Sequence, residues 1–135
     1  MRTSRAAAVA LVVLVFAGCS GAATPAATSS DERIPITVES QPSMACMQAL
    51  ITGILVPHAE WGMALQTPGT GELMHPIFPF GYSAVRDGDR LALLDAEGRL
   101  VARTGQLVQS SGGSIGGEGN PLVALCAGTI QVVPG

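Results

Sequence analysis

The sequence predicts an all-β domain, a small antiparallel β-barrel that is closed or partly open and carries one disulfide. Three observations lead there. Short apolar runs alternate with turn residues roughly every 8 to 12 positions from Met44 onward, the spacing of an all-β domain. Residues 86–105, RDGDRLALLDAEGRLVARTG, read as a β-hairpin. A lone hairpin is marginal in water, so the other segments must pair with it and cover its apolar face. The chain is short, and a barrel protects strand edges more economically than two full sheets.

Residues 1–18 stand apart from that domain. Arg2 and Arg5 precede an apolar run at 6–17, well below the ~20 residues of a spanning helix. The run ends in FAGCS at 16–20. This resembles the lipobox of bacterial lipoproteins, where small residues precede a cysteine that is diacylated before cleavage. Ala17 and Gly18 suit a narrow protease subsite, and the Cys19 thiol is the nucleophile for a thioether lipid. The resemblance implies a signal peptide at 1–18, acyl chains such as palmitate on Cys19, and an extracytoplasmic domain anchored to the bacterial cell membrane. Two or three acyl chains anchor a protein firmly where one holds it only reversibly. The alternative is a plain secretory signal with an incidental cysteine.

From Cys19 onward five arginines face ten carboxylates, a net charge of −5, and lysine is absent. No basic stripe offers a nucleic acid an electrostatic footprint. The same balance opposes docking on anionic lipid headgroups, so the membrane partner is reached through the acyl chains. Cys46 and Cys126 remain. Outside the cytoplasm such a pair usually oxidises. Closing so long a loop removes ~4 kcal/mol of unfolded-state freedom on the chain-entropy model. Two free thiols, or half of a metal site, are the alternatives.

In chain order, SGAATPAATSS at 20–30 is small, polar and interrupted by proline, with nothing to bury. It reads as a flexible tether, and the tether is drawn over 19–40. Within it DERIPITVES, 31–40, alternates weakly and is either an edge strand or the tether's end. The β-domain is expected over 41–135. MACMQALITGILV, 44–56, is the first strand of that domain. Branched residues and Thr52 favour strand over helix, Gly53 supplies a bend, and Pro57 ends the element. WGMALQ, 61–66, returns, and TPGTG, 67–71, turns. ELMHPIFPFGYSAV, 72–85, is broken by Pro76 and Pro79, so it reads as an edge segment or packed loop. In the hairpin, Leu91, Leu93 and Leu94 face Leu100 and Val101 across the turn DAEG, with Arg90, Arg99 and Arg103 as the wet face. Asp95 can bond its own turn, and Gly98 can take positive φ. Residues 106–109 give a short strand, 110–121 a glycine-rich loop, and 122–126 and 128–133 the last apolar segments. First and last strands can be neighbours in a closed barrel, which would bring Cys46 and Cys126 together.

The arrangement resembles a set of small, mostly actinobacterial secreted or lipid-anchored domains of unassigned function. The pieces that carry the resemblance are Gly53 to Val56, Phe78 to Tyr82, Asp87 to Asp89, Leu94 to Arg99 and Gly112 to Gly113. The family commonly has a cysteine shortly after the first strand, where this chain has residues 58–61 instead. The resemblance implies a barrel of oligonucleotide- or oligosaccharide-binding (OB) shape and no catalytic residue.

Candidate chemistry is sparse. SGGSIGGEGNP, 111–121, has no lysine and no phosphate-loop spacing. Glu60 lies near His58, but no serine-centred elbow is present. Asp87, Asp89, Asp95 and Glu97 are turn carboxylates whose simplest role is to accept backbone N–H groups, and they lack EF-hand spacing for calcium. His58, Met63, Met74 and His75 offer the soft and borderline donors that suit copper, although methionine is also an ordinary core filler. Trp61, Phe78, Phe80 and Tyr82 form a candidate ligand surface, because rigid rings bind at low entropy cost; the same rings could instead plug the barrel. The reading favoured is a cell-surface binding or interaction module, non-enzymatic and without cofactor, for a protein or small-molecule ligand. A copper-binding lipoprotein is the second reading.

Overall fold

The computed structural model describes residues 32–135. Cys19, the signal peptide expected at 1–18 and the first part of the tether lie outside the described residues. The described residues form ten strands and no helix: β1 (Arg33–Ile34), β2 (Ala49–His58), β3 (Gly62–Gln66), β4 (Leu73–Ile77), β5 (Ser83–Asp87), β6 (Arg90–Leu94), β7 (Leu100–Arg103), β8 (Leu107–Ser114), β9 (Leu122–Leu125) and β10 (Gln131–Val132).

Five strands close a barrel. β8, β2, β3, β4 and β9 follow one another around the wall, and β9 pairs back onto β8. Four seams are antiparallel, and the β4–β9 seam is parallel. The result is the closed, OB-like barrel expected, with one parallel seam added. β8 is the shared stave. Along one edge it pairs with β2; along the other it meets β10 at Val108 and Gln109, then β9 from Gly112 onward. A second sheet is ordered β1-β5-β6-β7; its strands β5 to β7 are inserted between β4 and β8, and β1 joins its edge from ahead of the barrel.

The two sheets share one core. Leu55, Met63, Leu65, Phe78, Val108 and Leu125 of the barrel side meet Ala84, Leu91, Leu93 and Ala102 of the second sheet. Alternation within the hairpin explains the contribution from β6, where Leu91 and Leu93 turn inward. The turn forms as its residues dictate. Asp95 Oδ1 accepts N–H bonds from Glu97 and Arg99 at 3.0 and 2.9 Å, and Gly98 takes φ +78°. Arg99 pairs with Asp95 and Arg103 with Asp87. Buried Thr104 completes the far end, with Oγ1 accepting from Leu91 N–H at 3.1 Å.

Several expectations are corrected. The first strand of the barrel begins at Ala49, not Met44, and runs through Pro57 to His58. Pro57 is tolerated because β8 pairs with β2 only as far as Ile54, so no partner on that side needs its missing N–H. Residues 73–77 form a barrel strand rather than an edge or loop. Pro76 is fully buried there, paired with β9 just past the end of the β3 contact at Met74. Residues 110–114 are not loop but the second half of β8. Of the two readings of 31–40, an edge strand or the tether's end, the strand forms at Arg33–Ile34. β1 pairs with β5, and Phe78 N–H donates to Thr37 O while Glu39 N–H donates to Phe78 O.

Cys46 and Cys126 are joined, with Cα atoms 5.6 Å apart. The reason differs from the one expected. β2 and β9 are not neighbours but flank β8 on opposite edges. The disulfide therefore crosses over β8, from the segment before β2 to the residue after β9.

Candidate functional site

Beside that disulfide lies a groove of about 700 Å³, within the range of small-molecule sites. One wall is the segment at 42–47, which approaches β2 without belonging to it. The facing wall combines Pro79 and Phe80 with the end of β9 and with Cys126, Ala127 and Thr129, and Ile115 reaches in from the loop after β8. Met44 is fully exposed, and Met47, Phe80 and Ile115 are 45, 46 and 39 % exposed. Large apolar side chains gathered on an open concavity are unusual for a soluble surface and mark a contact site.

Local chain geometry sets these side chains. Residues 79–82 turn back on themselves, with Tyr82 N–H donating to Pro79 O at 3.2 Å. That turn keeps Phe78 and Pro79 in the core and throws Phe80 outward. Across the groove, Met47 lies over Gly113, where a side chain would collide with it.

Among the described residues, Glu39 is the only ionisable one lining the groove. The groove hydroxyls serve backbone rather than a base: Ser43 Oγ donates to Ala45 O and Thr129 Oγ1 to Cys126 O, both at 2.8 Å. This is chemistry for holding an apolar group.

The four aromatic residues expected as one surface are divided. Phe78 is 1 % exposed and belongs to the core. Tyr82 is half-buried, and its hydroxyl oxygen accepts from Gly128 N–H at 3.5 Å. Phe80 alone lines the groove. Trp61 is elsewhere, stacked with His58 at 3.9 Å and with His75 at 4.3 Å between ring centroids, both nearly parallel. Two rings parallel to the indole at those distances cannot share one face without overlapping, so Trp61 is sandwiched. His58 Nδ1 accepts from Trp61 N–H at 3.2 Å, and Thr37 Oγ1 bonds His75 Nε2 at 2.7 Å. Burial and the neighbouring His58 hold His75 below its ordinary pKa.

The four candidate copper donors are brought only partly together. The indole stands between the two imidazoles, Met63 is sealed in the core, and Met74 packs at its margin. Among the described residues, no three His, Cys, Asp or Glu side chains gather as metal ligands.

Met44, Met47 and Ile115 were not singled out as a surface by sequence. One signal was present, a lone isoleucine in the glycine- and serine-rich stretch GGSIGGEG, with no strand periodicity to bury it. No family model, curated protein or solved structure matches this chain.

Proposed function

We propose that the protein is a non-enzymatic binding module, displayed outside the cytoplasm on a lipid anchor at Cys19, whose groove between Met44 and Phe80 takes an apolar ligand. The observation that carries this reading is the groove itself, with four large apolar side chains left open to water around it. Burial of apolar area stabilises a complex by roughly 25 cal/mol per Å² before the costs of association are subtracted. Methionine walls adapt to ligands of differing shape. The sequence ahead of the domain supports the anchor: FAGCS after an apolar run, then a tether without charge up to residue 30.

Titration of the neutral dye Nile red into the full chain tests the binding reading. Saturable emission is expected, and it should weaken at least fivefold in Phe80→Ser/Ile115→Ser. Equal emission from that variant, or none from the parent, would reject it. Labelling with radioactive palmitate tests the anchor, with incorporation expected in the parent and lost in Cys19→Ser.

A further inference from the structure

We infer that the Cys46–Cys126 disulfide is a redox latch on the groove rather than a staple of the barrel. Reduction by a dithiol would then release one wall of the groove while the barrel stays folded. The inference rests on the groove being the binding site and adds the means of its regulation.

The wall at 40–48 is held by little else. Before it, Glu39 N–H donates to Phe78 O at 2.9 Å, and after it β2 begins at Ala49. Among the described residues, no backbone group from 40 to 48 bonds to another backbone group. The side-chain bonds of Ser43 and Gln48 stay within the segment. Met47 against Gly113 is an apolar contact, and Met44 touches water all round. Among the described residues the covalent bond at Cys46 is thus the one strong long-range tie near the middle of the wall, and the 3.6 Å contact of Met47 O with Cys126 Sγ belongs to the same disulfide. Segments with few buried contacts and unpaired backbone open first.

The barrel does not share that dependence. All five seams are closed by their own ladders. Cys126 N–H donates to Ser111 O at 2.9 Å, a bond that fixes the end of β9 whether or not the sulfur is paired. Cys46 is exposed and Cys126 partly so, which leaves the disulfide open to attack. A thiolate of the dithiol attacks one sulfur to give a mixed disulfide, and its second thiol resolves it. The Cys46–Cys126 bond breaks and both sulfurs are protonated. The dithiol leaves as its own disulfide, having supplied two electrons.

The test uses the full chain with Cys19→Ser, which leaves Cys46 and Cys126 as the only cysteines. Oxidised and dithiothreitol-reduced samples are compared by subtilisin nicking, far-ultraviolet circular dichroism and Nile red binding. Reduction is expected to raise nicking within 40–48 at least tenfold, to leave the β spectrum in place and to abolish dye binding. Cys46→Ser/Cys126→Ser should behave as the reduced form. Unchanged nicking, or loss of the β spectrum on reduction, overturns the latch. If the oxidised protein never binds dye, the binding reading fails, and the nicking pattern still decides the latch.

Discussion

Gly112 in β8 and Ala124 in β9 approach so closely that a Cβ on Gly112 would fall on the Ala124 carbonyl oxygen. Gly112 also pairs with Ala49 of β2, so it stands where three barrel strands meet. The seam that closes the barrel requires glycine there because of proximity, not backbone angle. Gly112→Ala should lower stability by about 1–3 kcal/mol, the range for an overpacked site. Gly117, with open space around its Cβ position, is the control, and its alanine variant should stay within about 0.5 kcal/mol. Urea unfolding of both variants measures the difference.

Trp61 reports on acid. It is the only tryptophan in the chain, and it lies between His58 and His75. His75 is held below its ordinary 6.5 by burial first and by the adjacent His58 second. The unfolded chain therefore takes up this proton before the folded one does. Stability should be level above about pH 6.5, fall as pH drops toward the folded value, and level off below it. Denaturant midpoints followed by Trp61 emission from pH 8 to 5 would show the decline. His75→Gln should flatten it.

Asp95 governs a separate and lower window. Bonds from the Arg99 backbone, then its guanidinium and the Glu97 backbone, hold the carboxylate below its ordinary 3.8. Its contribution is present above that value and is lost as pH falls through the folded one. Asp95→Asn keeps an acceptor for the two turn N–H groups and loses the ion pair with Arg99, whose guanidinium is solvent-exposed, so the loss is small. Asp95→Ala loses both. Melting temperatures should rank the parent and Asp95→Asn close together and Asp95→Ala clearly lower.

The contrast between that turn and Gly112 explains what was legible beforehand. DAEG could be read because Asp95 and Gly98 act on their own neighbours, and local bonds are written in local sequence. Gly112 and Gly113 looked like loop because their reason for being small lies in Ala124 and Met47, far along the chain. Pro76 looked like a strand breaker because nothing local says which of its edges carries a partner. The disulfide was expected, but its route over β8 was not, since strand order is a tertiary fact. At the site, Phe78 and Phe80 have the same spacing they would have on one strand face. The turn at Pro79 to Tyr82 sends one inward and the other into the groove.

The groove beside the disulfide is what the functional reading depends on, and mapping a ligand residue by residue tests it most directly. Two-dimensional amide NMR of the oxidised chain, titrated with 1-octanol as a small neutral apolar probe, should show saturable shifts clustered at Met44, Met47, Phe80, Ile115 and Thr129. Shifts centred on Trp61, or scattered without saturation, would contradict it.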